Sequence, residues 1–134
     1  MKKVMSICLC IGLLFTMSGC SKEETPAVSY DEAKILEMGE TVINKMNEED
    51  YQAVIDMGNQ KLKDALTAEQ LKSGMDMYVL PLGAFKENET HEIATQDDYI
   101  VIGFISVYEK GKIQYTISFD QNDAMAGIRL APAS

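Results

Sequence analysis

No cysteine follows Cys20, and Cys8, Cys10 and Cys20 are the only three in a chain of 134 residues. A disulfide framework or a cysteine-based zinc site is thereby excluded from the body of the protein. Positive charge is scarce as well. The formal net charge is −9, Lys2 and Lys3 stand at the extreme N-terminus, and Arg129 is the sole arginine. Loss of residues 1–19 would leave a body two units more negative still. Such a body repels nucleic-acid phosphates and anionic lipid headgroups alike. No nucleic-acid partner is expected, and residence at a membrane would need a tether. Histidine occurs once, at His91. The sequence also has no G-x-S-x-G, no phosphate-binding loop and no Ser/His/Asp arrangement. The length leaves room for one ordinary domain.

What is present begins with a leader. Lys2 and Lys3 form a basic start, and Val4 to Gly19 carries no charge, the layout of a secretory signal peptide. The uncharged run is shorter than the ~20 residues that a spanning helix wants. No Ala-x-Ala cleavage pattern precedes the charged segment that follows. Instead Met17-Ser18-Gly19-Cys20 resembles the lipobox of bacterial lipoproteins, with Met17 where leucine is usual. That resemblance implies cleavage before Cys20 and a thioether-linked diacylglycerol on its sulfur, with further acylation of the new N-terminus. Two or more acyl chains anchor stably where one is marginal. Residues 1–19 are therefore expected to be a signal peptide and residues 20–29 a lipidated cysteine with a polar tether. The protein is expected at the cell membrane, on the extracytoplasmic face of a bacterium of the Gram-positive kind.

Residues 30–134 read as one α+β domain. Ile35, Leu36, Gly39, Val42, Ile43 and Met46 recur at helical spacing, and Ser29 with Glu32 suggests a capping box. Asn47 to Asp50 signals a second start, and Tyr51, Val54, Ile55, Gly58, Leu62, Ala65 and Leu66 carry the stripe on, with a break near Gly58-Asn59. Thr67 with Gln70 forms another capping box, opening a helix whose inner face is Leu71, Met75, Tyr78 and Leu82. After Phe85 the period becomes two. A Lys110-Gly111 turn sets Tyr108 against Ile113 and Phe104 against Ile117. One sheet face then holds Ile100, Ile102, Phe104, Tyr108, Ile113, Tyr115, Ile117 and Phe119, and the helices are expected to pack there. Val101, Ile105 and Val107 lie on the opposite, semi-polar face. A turn at Gln121-Asn122 would add Ala124, Ala126, Ile128 and Leu130 to the packed face. An even loop at Gln96–Asp98 would add Phe85, Glu87, Glu89, His91 and Ile93; an odd one would turn all five outward.

Helices followed by a meander of about four strands resemble the nuclear transport factor 2-like superfamily, whose curved sheet wraps helices into a cone. Three segments, EEDYQAVIDM, LTAEQLKSGMDMYVLPLGAFKE and ISFDQNDAMAGIRLAP, resemble a bacterial branch of it found in Gram-positive lipoproteins and beside α/β-hydrolase domains. The branch implies no residue-by-residue activity. No hydrolase domain follows in this sequence, so no accessory role toward one in the same chain is expected.

Candidate chemistry is sparse. Glu89 and His91 share a strand face on the even-loop register, and with Ser106 and Tyr115 would line the open end of the cone as a general acid/base pair. Against this, KENETHE is polar enough for a solvated edge. A metal site on Glu87, Glu89 and His91 lacks a fourth ligand, and no metal or cofactor is expected. Asp120-Gln121-Asn122-Asp123 lacks the glycine and distal glutamate of a calcium loop and reads as a hairpin turn. The chain is accordingly expected to be a non-enzymatic, lipid-anchored module that binds a small ligand or a protein. The pocket is expected around Glu89, His91, Ser106, Tyr115, Ala124 and Ala126. The alternatives are an enzyme of the ketosteroid-isomerase-like type using His91 and Glu89, and a homodimer formed through Val101, Ile105 and Val107.

Overall fold

The structure, a computed structural model, describes residues 29–134; the expected signal peptide and Cys20 lie outside the described residues. Helix α1 spans Glu32–Asn47. Its cap is Asp31, which accepts from the Lys34 amide at 3.3 Å, and not the Ser29 box expected from the sequence. The start expected at Asn47 moves to Asp50, because Asn47 is the last residue of α1, whereas the Thr67 box forms as expected. Asp50 caps α2 (Tyr51–Asp56), Asn59 caps α3 (Gln60–Ala65), and Thr67 with Gln70 makes a reciprocal capping box on α4 (Ala68–Tyr78). The break at Gly58-Asn59 thus divides the second helix in two. The buried stripe of α4 is Leu71, Met75 and Val79, one residue on from the expected Tyr78, which is exposed. A 3-10 turn over Leu80–Leu82 follows.

Four antiparallel strands in sequential order complete the chain: β1 (Phe85–Gln96), β2 (Tyr99–Tyr108), β3 (Gly111–Phe119) and β4 (Met125–Ala133). This is an α+β fold with helices on one face of a curved open sheet, consistent with the nuclear transport factor 2-like cone. The packed face is the one expected. Ile100, Ile102, Phe104, Tyr108, Ile113, Tyr115, Ile117 and Phe119 are all buried, with Ser106 among them. Val101, Ile105 and Val107 are half-buried on the other face, and Arg129 there is exposed.

The registers differ in instructive ways. The β2–β3 turn is Glu109-Lys110, so Tyr108 faces Gly111 and Phe104 faces Tyr115, two residues from the expected pairing. The Glu109 and Lys110 amides donate to the carbonyls of Ala84 and Leu82 at 3.1 and 2.8 Å, which holds the turn at this position. A two-residue slip keeps every side chain on its own face, so the core was assigned correctly from an incorrect register.

At the β3–β4 turn Asp120 accepts from the amides of Asn122 and Ala124 at 2.8 and 3.1 Å. Met125, and not Ala124 or Ala126, enters the core opposite Phe119. The Met125 backbone is claimed by the Met57 carbonyl and the Asn59 amide at 2.8 Å each. A register shift between Ser118 and Phe119 then leaves Ala126 unpaired as a bulge, and Ile128 and Leu130 pack against the core as expected.

Helix α1 sits close against the sheet at Gly39. A methyl group at Gly39 would come within 2.5 Å of Phe104 Cε2 and 3.2 Å of Ile102 Cγ2. Both neighbours are buried side chains with no room to retreat. Gly74, in the middle of α4, would meet nothing within 4 Å. The two helical glycines therefore respond oppositely to alanine. Gly39→Ala should lose ~1–3 kcal/mol through overpacking, outweighing its gain in helix propensity. Gly74→Ala should gain ~0.5–1 kcal/mol. Urea denaturation of the two variants checks both signs.

Candidate functional site

The expected pocket residues do not come together. The loop before β2 is the two-residue turn Asp97-Asp98, the even case, and His91 faces Phe104 with ring centroids 6.3 Å apart. The register then shifts twice, leaving Glu89 and Lys86 unpaired. Asn88 takes the inward position opposite Ser106, whose hydroxyl donates to Asn88 Oδ1 at 2.6 Å. Glu87 faces Val107 on the outer side. Glu89 accepts from Lys112 Nζ at 2.6 Å, and Lys112 pairs with Val107 on that same outer face. Glu89 and His91 thus point to opposite sides of the sheet.

His91 is itself exposed, in a shallow groove of about 170 Å³ with Thr90, Gly103 and Gln114. The bulges are the physical reason. Each inserts one residue and inverts the alternation beyond it, so His91 is separated from Glu87 and Glu89 and neither a metal set nor an acid/base pair is assembled. Among the described residues no group of three or more His, Asp or Glu side chains gathers as a metal site.

An apolar-walled cleft lies elsewhere, at the C-terminal end of α1; a larger, more polar hollow of about 410 Å³ lies at the other end of that helix. The apolar-walled cleft has a volume of about 270 Å³, between the α1–α2 corner, the end of α4, the 3-10 turn and the start of β1. Met46, Tyr51, Met75, Val79, Leu80, Ala84 and Phe85 form apolar walls, with Tyr108 and Asn47 at the floor. Phe85 packs edge-on against Tyr108 at 5.6 Å, an inward position restored by the second bulge.

Under the floor runs a chain of hydroxyls. Tyr108 Oη donates to Asn47 Oδ1 at 2.7 Å and lies 2.6 Å from Tyr115 Oη. Each hydroxyl has one hydrogen, so Tyr115 donates to Tyr108 and Tyr108 to Asn47. Met75 Sδ, 3.6 Å from Tyr115 Oη, is then a soft contact at the closed end. At the other end Asn47 Nδ2 is buried and has no hydrogen-bond partner among the described residues. Such an orphaned donor costs ~1–3 kcal/mol unless something outside the protein accepts from it.

The lip is charged. Glu49 and Asp76 line it together with Tyr51. Asp76 accepts from Lys72 Nζ at 2.6 Å. Burial raises the Tyr51 pKa above its ordinary value, and the nearby Glu49 and Asp76 carboxylates raise it further. Glu49 has a φ of 61°, the left-handed conformation normally taken by glycine.

Of the six residues expected to line a pocket, Tyr115 alone reaches this cleft's chemistry, through Tyr108. Asn47, Tyr51, Val79 and Phe85 were not singled out as site residues. The only available signals were the polar Asn47 closing an apolar stripe and the Leu-Pro-Leu-Gly turn that folds Ala84 and Phe85 back against α4.

Burial raises the pKa of Tyr108 and, much more, of Tyr115, where the adjacent Tyr108 adds to the effect. For tyrosine the neutral form is favoured by folding. The resulting stability is complete below the unfolded pKa of about 10 and is lost as pH rises above it. Stability to urea should therefore hold to about pH 9 and decline from about pH 10. Tyr115→Phe, which lowers stability at neutral pH, should make that alkaline decline shallower, as read from urea midpoints across the range.

Known proteins add the following. No curated protein matches the chain significantly. An NMR structure of a protein from Ruminococcus gnavus ATCC 29149 matches with a TM-score of 0.65 at 19% identity, covering 75% of this chain and 90% of that one. At that identity the likeness concerns the fold. A family model described as a protein of unknown function, DUF3887, matches residues 39–128, from the glycine that lets α1 settle on the sheet to the Ile128 that closes the core, and the chain belongs to that family.

Proposed function

We propose that this protein is a lipid-anchored, extracytoplasmic module that binds a small, largely apolar molecule in the cleft at the end of α1. The observation that carries the reading is the buried Asn47 amide in the floor of an apolar cleft, a donor left unmatched by the protein. Binding pockets commonly combine apolar walls with a few convergent polar groups. At about 270 Å³ the space suits a molecule below drug size. Leu80, 68% exposed at the lip, adds apolar surface where a ligand would enter. The cone architecture also supports membership of the nuclear transport factor 2-like superfamily.

The reading is of a binding module and not of an enzyme. The hydroxyls of the floor are held protonated, and the carboxylates of the lip stand in water with no base opposite the floor. The lipobox-like Met17–Cys20 supports the anchor. Among the described residues no helix is long and apolar enough to cross a membrane. The chain enters the domain at the N-terminal end of α1, and 16 helical residues at 1.5 Å each put the cleft about 24 Å from that point. A protein tethered there can present the cleft away from the bilayer.

Two measurements test the two halves of this proposal. A neutral solvatochromic naphthalene probe should bind the domain with one site and a blue-shifted emission. Ala84→Trp, which fills the cleft, should weaken that binding at least about 10-fold; equal affinity in the variant would remove the cleft as the site. Mass spectrometry of the mature protein should show acylated Cys20 at its N-terminus. An unmodified Cys20 inside an uncleaved leader would end the anchoring proposal.

A further inference from the structure

We propose that the cleft selects molecules joining an apolar body to a protonated amine, with the Glu49 carboxylate at the lip as the charge partner. This rests on reading the cleft as a small-ligand site and goes further by naming the ligand's charge.

Three features of the lip converge. The first is the sign of its charge. Glu49 and Asp76 are the ionisable residues other than tyrosine that line the cleft, and no lysine or arginine does. Lys72 is engaged by Asp76, and Lys45 by Glu48 and Asp50. Among the described residues the Glu49 side chain makes no ion pair or hydrogen bond, so it keeps its capacity for an incoming cation. The formal net charge of −9 adds a long-range field of the same sign.

The second feature is the neighbourhood. Tyr51 and Phe85 supply aromatic surface in the same cleft, and an ammonium group is attracted to aromatic faces as well as to a carboxylate. Asn47 lines the same cleft, and its amide nitrogen is buried without a partner among the described residues.

The third is the backbone. The Asp50 amide donates to the Lys45 carbonyl at 3.0 Å and the Glu49 amide to the Met46 carbonyl at 3.2 Å. This is the two-bond Schellman closure of a helix C-terminus, and Glu49 holds the position where glycine is the usual residue. A β-carbon in the left-handed region is unfavourable. Glycine would make the same corner without strain, but it would leave no carboxylate at the lip. Carrying a glutamate there is what a binding role explains and a purely structural corner does not.

The test pairs 4-phenylbutylamine with 4-phenylbutanol, which share an apolar body and differ in charge. Affinities come from chemical-shift titration of the folded domain, for the natural protein, Glu49→Gln and Glu49→Gly. The amine should bind the natural protein at least about 10-fold more tightly than the alcohol, and added salt should narrow the gap. In both variants the amine-to-alcohol ratio should fall to about one. Glu49→Gly should also raise the thermal midpoint by about 4 °C, since the corner loses its strain.

Equal binding of amine and alcohol to the natural protein would overturn the charge assignment while leaving the cleft as an apolar site. Persistence of the amine preference in Glu49→Gln would overturn the role of Glu49. A lowered midpoint in Glu49→Gly would show that the glutamate serves the corner and not the ligand. Failure of both compounds and of the neutral naphthalene probe would instead remove the cleft reading itself.

Discussion

The hydrogen-bonded chain from Tyr115 through Tyr108 to Asn47 is the constraint on which both the core and the cleft depend. It joins β3, β2 and the end of α1 in a region whose other contacts are mainly apolar. Apolar packing is tolerant of small slides, whereas two bonds of 2.7 and 2.6 Å fix the end of α1 against the sheet. A buried hydroxyl without a partner would cost more than its bond contributes, so the three residues must stay in step. Tyr115 depends on Tyr108, and Tyr108 depends on Asn47. The chain then ends on an amide nitrogen with nothing to meet, and that end is the floor of the cleft.

The same helix is held at its middle by sterics. Gly39 lets α1 descend onto Phe104 and Ile102, and Asn47 is two helical turns further along. A helix standing higher at Gly39 would lift Asn47 off Tyr108. The small residue and the polar residue therefore serve one geometry, a helix pressed to the sheet at its centre and bonded to it at its end. Beyond that end the chain must turn sharply into α2. The space left between this corner and the 3-10 turn after α4 is the cleft.

How much of this could be read from residues differs from element to element. The helix start at Thr67, and that near Asp50, were legible because a capping side chain acts on amides two or three residues away, while Asn59 showed only as a break in the stripe. The buried face of β2 and β3 was legible because alternation needs only local order. The turn at Glu109-Lys110 was not, because carbonyls of Leu82 and Ala84 hold it, and these are some twenty-five residues distant in the chain. The bulges at Glu89 and Lys86 were hidden for a similar reason. An edge strand rich in charge shows no apolar period from which a shift in phase could be seen, and the pairing of His91 with Glu89 disappeared with it.

By itself the sequence determined which residues of β2 and β3 are buried, roughly where the helices begin, that the body is acidic and free of cysteine, and that its N-terminus resembles a lipoprotein leader. These follow from composition and from interactions spanning a few residues. Only the tertiary structure decided the registers, the two bulges of β1 and the entry of Met125 into the core. It likewise decided that Asn47, Tyr51, Met75, Phe85 and Tyr108 meet around one cleft. A shift of register by two residues leaves the alternation of side chains unchanged, so periodicity cannot report it. A cleft exists only where distant segments fail to fill the space between them, and that space belongs to no single stretch of chain.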